Sequence, residues 1–339
     1  MSKTIGFDIG SAYTAFCVQE GKDIKMMPTV ITLEKKTDRV VATGNDARLM
    51  IGRAPSTLNV IRPIQNGFVN NAEATSLLLT DILKRTAPTS VFERTEVIST
   101  LPYGFEKEEL ALENAIIGAG INTFDFVYTP IAIALGAGMP VDVPAGRLIV
   151  DIGAGHSDAS IISEGDIVIS SIIKTAGNSM TEAIAGYILE AHGIEIGELT
   201  AEAIKIKIGT LNPAAPLKSI KISGKARADK NADLRHKVTA DAVITSKELI
   251  PVLTPIADKI TENIISTLTH KNVPAEIASD VTNFGVLLSG GGAMLDGLSA
   301  YIQKALKIKV TCTKLPQADA ARGLVRIING GRAFAKFTR

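Results

Sequence analysis

The sequence is poor in residue types that mark several protein classes. It contains no tryptophan, two cysteines among 339 residues, and an aromatic fraction of 4%. Cys17 and Cys312 lie far apart in apolar stretches, which predicts buried free thiols in a reducing compartment. No spacing of cysteine and histidine resembles a metal site. The hydrophobic cores must be aliphatic, and such a composition with many glycines favours an α/β architecture.

Long apolar runs and an excess of one charge are also missing. No stretch reaches the roughly 18 apolar residues that a membrane-spanning helix needs. Asp8 interrupts the first apolar stretch, so no signal peptide is predicted. The 36 basic and 35 acidic residues leave a net charge of +1, which gives no global field to attract nucleic acid. We therefore expect a cytoplasmic protein that does not bind nucleic acid.

The clearest pattern in the chain is a strand–turn–strand motif that occurs twice. Small residues in such turns let backbone N–H groups converge on a phosphate. An aspartate at the strand end would repel a bare phosphate, which predicts a Mg²⁺ ion or a water between them. One copy would fit a plain hairpin, but two copies favour a pair of turns that grip one phosphate tail. The copies are Asp8-Ile9-Gly10-Ser11-Ala12-Tyr13 and Asp151-Ile152-Gly153-Ala154-Gly155.

A third glycine-rich turn lies near the C-terminal end of the sequence. A strand over 285–289 leads into Gly290-Gly291-Gly292, and a helix is predicted over Ala293–Leu306. Backbone groups and a helix N-terminus at this point would suit a nucleotide. The spacing fits neither the Rossmann fingerprint nor the P-loop.

The order of predicted elements divides the chain into two similar halves. Each half opens with a three-strand meander and continues into helices, and the third strand of the first meander is placed at Val30–Leu33. Residues 54–71 are interpreted as irregular, and Thr129 as the N-cap of a helix with Pro130 at its first position. Two similar halves predict pseudo-symmetric domains with a ligand in the cleft between them. The predicted bounds are 1–145, with a small subdomain at about 33–71, and 146–339, with an inserted subdomain at about 194–249.

These motifs resemble the two phosphate motifs and the adenosine motif of the actin/Hsp70/hexokinase superfamily. Within it, the chain resembles the MreB/Mbl family of bacterial actins, and it also shares stretches with MamK-type filament proteins. The resemblance covers almost the whole chain and is weakest over 211–244. The stretches that carry it include Ile51-Gly52-Arg53-Ala54-Pro55, Ile61-Arg62-Pro63 through Asn66-Gly67, and Pro274 to Asp280; Leu298–Tyr301 and Val310–Cys312 carry the likeness to MamK.

The resemblance implies an actin-like α/β fold, binding of ATP or ADP with Mg²⁺, and self-assembly into paired protofilaments. Such filaments would serve cell shape or intracellular positioning. Mg²⁺ would lie near Asp8 and Asp151. The nucleotide would contact Gly10, Ser11, Ala12, Tyr13, Gly153, Ala154, Gly155, His156, Glu202, Lys205, Gly290, Gly291, Gly292 and Ala293.

The loop tip Val91-Phe92 matches the position of a membrane-touching loop in this family. A packed loop and a membrane contact are both open interpretations of this apolar tip.

Departures from the family pattern affect the expected chemistry. The family carries a glutamate before the proline at 130, and here that residue is Thr129, whose hydroxyl can hold water but is no carboxylate base. The usual Thr-Thr-Glu after the second turn is His156-Ser157-Asp158, and a common asparagine of the first turn is Tyr13. We expect intact nucleotide binding with slow or altered hydrolysis. Thr129, His156 and Ser157 are the candidate hydrolytic residues, with His156 as a replacement catalytic group.

Two alternatives belong to the same superfamily. A small-molecule kinase would need a catalytic carboxylate that faces a sugar pocket, and no residue can be assigned to that role. An Hsp70-like ATPase switch would need a substrate-binding domain, for which a chain that ends at Arg339 leaves no room.

Overall fold

The computed structural model describes residues 3–86, 95–227 and 239–339. The predicted membrane-touching tip, Val91-Phe92, lies outside these ranges. Across the described part of the chain, no helix is both long and apolar enough to cross a bilayer.

The first half is built on a five-stranded mixed sheet with the order β10-β9-β1-β2-β3. A small sheet, β5-β4-β6, and a short hairpin, β7-β8, stand beside it. The elements are β1 (Lys3–Ile9), β2 (Tyr13–Val18), β3 (Lys25–Pro28), β4 (Ile31–Glu34), β5 (Val40–Thr43), α1 (Gly44–Leu49), β6 (Leu58–Ile61), β7 (Ile64–Gln65), β8 (Phe68–Val69), α2 (Ala72–Thr86), β9 (Thr95–Leu101), α3 (Glu106–Gly118), β10 (Phe124–Tyr128) and α4 (Thr129–Gly136).

The second half repeats this plan with a five-stranded sheet of order β13-β12-β11-β17-β18 and a small sheet, β14-β15-β16. Its elements are β11 (Arg147–Ile152), β12 (Ser157–Ser163), β13 (Asp166–Ile173), α5 (Gly177–His192), β14 (Ile194–Glu195), α6 (Glu198–Ile208), β15 (Ser219–Ala226), β16 (Thr239–Thr245), α7 (Ser246–Leu268), α8 (Ala275–Phe284), β17 (Val286–Ser289), α9 (Leu298–Leu306), β18 (Val310–Cys312) and α10 (Asp319–Gly330).

The two central sheets share one topology. In each, three consecutive strands form an antiparallel meander, and the first of them pairs in parallel with a later strand: β1 with β9, and β11 with β17. A parallel partner strand is reached through a crossover that carries helices. The predicted pseudo-symmetric α/β fold is therefore confirmed.

Several predicted details are wrong. The first meander ends with β3 rather than with Val30–Leu33, because the chain turns at Thr29, whose buried hydroxyl bonds that of Thr14 at 3.0 Å. Residues 54–71 hold three short strands and are not irregular throughout. Thr129 is the first helical residue of α4 rather than its N-cap. Cys17 is buried as predicted, but Cys312 is exposed, and both are free thiols.

The segment after the third glycine-rich turn also differs from the prediction. Residues Gly291–Met294 form one short 3₁₀ turn, and α9 begins only at Leu298. Between them Leu295 is extended and Gly297 has a φ of 81°, so a continuous helix from Ala293 cannot form. The turn therefore offers backbone groups to the cavity but no α-helix N-terminus.

Three large apolar cores and a small one at Ile31, Leu33 and Ala74 are found among the described residues. One lies between the second central sheet and helices α5, α6 and α7, and another lies between the first central sheet and helices α2 and α3. The third joins the halves, because α4 and α10 contribute Ile131, Leu135, Leu324 and Ile328 to a cluster that also contains Ile149 of β11. Helix α10 thus packs on α4 and on strands β1, β2 and β9 of the first sheet.

Candidate functional site

A cavity of about 580 Å³ lies between the two halves. Both repeated turns open into it, together with α6 and the third glycine-rich turn. The structure brings most of the predicted site residues to its wall: Asp8, Gly10, Ser11, Ala12, Tyr13, Thr129, Asp151, Gly153, Ala154, Gly155, His156, Glu202, Lys205, Gly290, Gly291 and Gly292.

Two predicted residues do not line this cavity. Ser157 is buried, and its hydroxyl donates a hydrogen bond of 2.7 Å to the carbonyl of Thr175. Ala293 is buried behind the glycine-rich turn, where its N–H donates to the carbonyl of Gly290 at 3.2 Å. The Ser157 hydroxyl is therefore committed to the backbone and does not face the cleft.

The two repeated turns close in the same way. Gly10 N–H donates to the carbonyl of Tyr13, and Gly153 N–H donates to the carbonyl of His156, each at 3.0 Å. A Cβ added at Gly155 would lie 2.5 Å from Ser11 Oγ. The turns approach each other so closely that only glycine fits at this position, which leaves their backbones facing one space.

The hairpin β7-β8 completes this end of the cavity, and the sequence pattern did not indicate it. Gly67 N–H donates to Ser11 Oγ at 2.8 Å. The His156 imidazole lies against Gly67 and stacks on Phe68 with 6.2 Å between ring centroids. Burial lowers the pKa of His156 to about 4, so the ring is neutral near pH 7.

Asp151 lies within electrostatic range of three other carboxylates, those of Asp8, Asp158 and Asp319. Burial raises the pKa of Asp8, whose carboxylate accepts a hydrogen bond of 2.8 Å from Thr100 Oγ1. Burial and the charges of Asp8, Asp158 and Asp319 raise the pKa of Asp151 to about 8. Without a counter-ion, this arrangement disfavours charge on Asp151.

This donor set fits Mg²⁺ bound together with a phosphate. Within the described ranges, no group of three or more histidine, cysteine or acidic side chains could hold a metal alone. Mg²⁺ is typically held by one or two carboxylates, with substrate phosphates and waters as its other ligands. Asp8 and Asp151 are the two carboxylates that line the cavity beside the turns.

A polar network on α5 and α6 adjoins the second turn, because Gly177 N–H donates to the carbonyl of Gly153 at 3.1 Å. Glu202 accepts a hydrogen bond of 2.5 Å from Thr181 Oγ1 and forms an ion pair of 2.6 Å with Lys205. Lys205 also donates to the carbonyl of Gly177 at 2.8 Å. The side chains of Glu202 and Lys205 are therefore fixed before any ligand enters.

Part of the cavity lining is apolar, and the sequence analysis largely missed it. Ile206 and Met294 line it and are exposed by 71% and 57%. Gln317 lines the same cavity in the turn after β18. Exposed apolar side chains at a cavity mouth suit a flat, weakly polar group. Ile206 and Met294 had an indirect signal in the sequence, because each directly follows a predicted site residue, Lys205 and Ala293.

This fold and cleft define the actin-like class of proteins: two pseudo-symmetric halves with paired turns facing one cavity. The family model described as MreB/Mbl protein matches residues 2–335. The chain belongs to the MreB/Mbl family.

Relatives of known name support this assignment. The chain is 33% identical over 324 residues to the cell shape-determining protein Mbl of Bacillus subtilis, covering 95% of this chain and 94% of that one. It is 30% identical over 338 residues to the cell shape-determining protein MreB of Escherichia coli, covering 98% and 93%.

Solved structures agree with the fold. MreB5 of Spiroplasma citri bound to AMPPNP superposes with a TM-score of 0.87 at 29% identity, covering 96% of this chain and 95% of that one. The same protein has also been solved bound to ADP. A MamK double helical filament has a TM-score of 0.79 at 22% identity, covering 96% and 98%, and shows the shared fold alone.

Proposed function

We propose that this protein is an ATP-binding, actin-like cytoskeletal protein whose nucleotide state controls its assembly into filaments. The observation that carries the proposal is the pair of identically closed turns, one from each half of the molecule, that lie side by side and face one cavity. Their backbones face a single space that suits a phosphate tail. The structure of MreB5 bound to AMPPNP supports a nucleotide as the ligand.

The cavity suggests how the nucleotide is oriented. The phosphates would lie between the turns at Gly10 and Gly153, with Mg²⁺ near Asp8 and Asp151. The ribose would face Glu202 and Lys205. The base would reach the apolar end beside the glycine-rich turn at 290–292. Bound Mg²⁺ would supply positive charge that offsets the phosphates and the buried carboxylates.

Self-assembly and its role are proposed from the relatives. Mbl and MreB are cell shape-determining proteins, and MamK forms a double helical filament. We propose that this chain assembles into paired protofilaments in the cytoplasm, for cell shape or intracellular positioning. Membership of this family favours a filament over a small-molecule kinase or an Hsp70-like switch. Membrane contact through Val91 and Phe92 stays a prediction, as do the domain bounds at 145 and 146.

Hydrolysis is proposed to be slow. Thr129 lines the cavity at the start of α4, where its hydroxyl can orient a water but cannot take a proton as a carboxylate does. The His156 ring is held against Gly67 and Phe68. Because it is neutral near pH 7, it can accept a proton as a general base does. Its contacts with the hairpin favour a positioning role.

The proposal is tested by sedimentation and negative-stain microscopy of the purified protein with Mg-ATP, Mg-ADP and Mg-AMPPNP, with phosphate release measured in parallel. We expect filaments with ATP and AMPPNP, fewer with ADP, and little phosphate release. Nucleotide binding without filaments in any state would contradict the role in assembly. Absence of nucleotide binding would contradict the whole proposal.

A further inference from the structure

The feature behind this inference is a carboxylate in the cavity wall that the proposed nucleotide site does not use. Within the described ranges, the acidic side chains that line the cavity are Asp8, Glu108, Asp151, Glu202 and Asp296. Asp8 and Asp151 lie where Mg²⁺ is proposed. Glu202 is paired with Lys205, and Asp296 accepts a hydrogen bond of 2.6 Å from Thr210 Oγ1. Glu108 is the member of this set that has no role so far.

The Glu108 side chain is held at one oxygen and free at the other. The residue lies in the first turn of α3 and is half-buried. Its Oε1 accepts a hydrogen bond from Val69 N–H in β8. Its Oε2 has no hydrogen-bond or ion-pair partner in the part of the chain that the structure describes. Oε2 is therefore the atom that can take a proton.

The sheet places Glu108 on the same side of the cavity as Asp8 and Thr129. Strands β10, β9 and β1 are parallel neighbours, so their carboxyl ends meet at one edge of the sheet. Asp8 lies at the end of β1, Thr129 follows β10, and α3 with Glu108 follows β9. All three residues line the cavity. Ligands of such sheets bind outside the carboxyl ends of the strands, which is where the phosphates are proposed.

The hairpin β7-β8 connects Glu108 with the first phosphate turn. Gly67 N–H donates to Ser11 Oγ at 2.8 Å, and Val69, two residues later, donates to Glu108. Phe68 between them packs on Phe105, directly before α3, with 4.8 Å between ring centroids. Two residues of extended chain span at most about 7 Å. Water in the cavity can therefore bridge the carboxylate and the phosphates.

The surroundings of Glu108 also make it a better base than an exposed glutamate. Burial raises its pKa above the ordinary value of 4.5 and outweighs the opposite effect of the hydrogen bond from Val69. A carboxylate with a raised pKa accepts a proton from water more readily.

We propose that Glu108 is the proton acceptor for the slow ATP hydrolysis of this protein, in place of the carboxylate that Thr129 lacks. The oxygen of a water bonds to the terminal phosphorus while the bond from that phosphorus to the bridging oxygen breaks, and ADP leaves with the electron pair. The proton that the attacking water loses passes through cavity water to Glu108 Oε2 and later to the solvent. This inference rests on the proposed function and adds a residue to its chemistry.

Glu108→Gln tests this role, because the amide oxygen can still accept the hydrogen bond from Val69 but cannot take a proton. Phosphate release from Mg-ATP is measured in a single turnover, and affinity for Mg-AMPPNP is measured by calorimetry. Glu109→Gln is the matched control. Glu109 is the next residue of α3, but it pairs with Arg339 at 3.2 Å and is not part of the cavity lining.

We expect Glu108→Gln to slow phosphate release by at least about tenfold, because a positioned base contributes about 10²–10⁴-fold. Its affinity for AMPPNP should equal that of the wild-type protein. Glu109→Gln should keep both the wild-type rate and the wild-type affinity.

A second background separates proton transfer from a structural effect on the hairpin. In Thr129→Glu the new carboxylate can take the proton, so adding Glu108→Gln should have little effect on the rate. Residues that share one role are not additive in this way. An equal loss of rate in both backgrounds would show that Glu108 only supports the hairpin and would overturn the inference.

The remaining outcomes distinguish this inference from the proposed function. Unchanged phosphate release from Glu108→Gln, with nucleotide still bound, would overturn the role of Glu108 and leave the nucleotide site intact. Wild-type release no faster than that of ATP alone would do the same. Absence of nucleotide binding by the wild-type protein would overturn the proposed function and this inference with it.

Discussion

At the scale of single residues, His156 gives the clearest dependence on pH. Burial lowers the pKa of His156 from 6.5 to about 4 in the folded protein. The unfolded chain therefore binds a proton first as the pH falls, so the stabilising contribution is complete above pH 6.5 and is lost toward pH 4. The loss in unfolding free energy should reach at most about 3 kcal/mol.

The measurement is the unfolding free energy of the wild-type protein and of His156→Gln between pH 4 and 7. Glutamine stays neutral at every pH in this range. The advantage of the wild-type protein in unfolding free energy should therefore shrink as the pH falls, because only the wild-type protein loses the contribution of His156. Asp158 titrates in the same range, because burial raises its pKa to about 6, and it acts in the opposite direction in both proteins. A difference that stays constant with pH would show that folding does not lower the pKa of His156.

Thr129 should limit the rate of hydrolysis. Thr129→Glu places a carboxylate at the start of α4, where it can act as a base toward a water beside the phosphates. Because a positioned general base contributes about 10²–10⁴-fold, we expect phosphate release to rise at least tenfold with ADP affinity little changed. Thr129→Gln is the control of the same shape without a base. Equal rates of phosphate release from the two variants would show that the missing carboxylate at position 129 does not limit hydrolysis.

The glycine turns were predictable from sequence because their chemistry is local. Gly10, Gly153 and their neighbours line the cavity as the spacing indicated. Ser157 was assigned with them by proximity in sequence, but it is the first residue of β12, whereas His156 still belongs to the turn. His156 therefore reaches the cavity while the Ser157 hydroxyl bonds the carbonyl of Thr175. Which face each residue takes depends on the pairing of β12, and the motif alone does not fix it.

At the scale of elements, the crossing of α4 and α10 is the closest packing of two helices described above. A Cβ at Gly323 would lie 1.9 Å from the carbonyl oxygen of Ala132, and one at Gly136 would lie 1.8 Å from that of Asp319. Gly323→Ala must push the helices apart, and overpacking of this kind costs about 1–3 kcal/mol of unfolding free energy.

The matched control is Gly186→Ala in α5, where an added Cβ meets no atom within 4 Å. Alanine is a better helix former than glycine, so this variant should gain about 0.5–1 kcal/mol. Urea unfolding of both variants compares the two effects. Equal unfolding free energies of Gly323→Ala and the wild-type protein would show that α4 and α10 can move apart without loss of stability.

The same glycine shows why some elements could not be predicted. Glycine inside a helical pattern usually indicates a weak point or an end. Helix α10 nevertheless runs through Gly323, because a residue without a side chain is needed there for contact with α4. The strands of hairpin β7-β8 have only two residues each, too few to show a period of two. Both features depend on contacts between parts of the chain far apart in sequence.

At the scale of the whole molecule, an ion pair connects the two halves. Arg62, after β6, lies 2.5 Å from Glu198 at the start of α6. Their side chains are 28% and 47% exposed, so the pair is worth at most about 1 kcal/mol and weakens with salt. We expect Arg62→Glu to speed release of bound ADP by about two- to fivefold at low salt.

Stopped-flow release of a fluorescent ADP analogue measures this effect. The swapped pair, Arg62→Glu with Glu198→Arg, should restore slow release, and 1 M salt should reduce the difference between all forms. Rapid release from the swapped protein would show that the pair does not hold the cleft closed.

The packing of α10 on the first sheet has a consequence for the order in which the protein is made. The strands of the first sheet leave the ribosome early, but the helix that covers β1 and β2 and contacts α4 begins only at Asp319, after the second central sheet. The N-terminal half therefore exposes an apolar surface until this helix has been made. It acquires its complete fold only when α10 has emerged, so the two halves mature together and not one after the other.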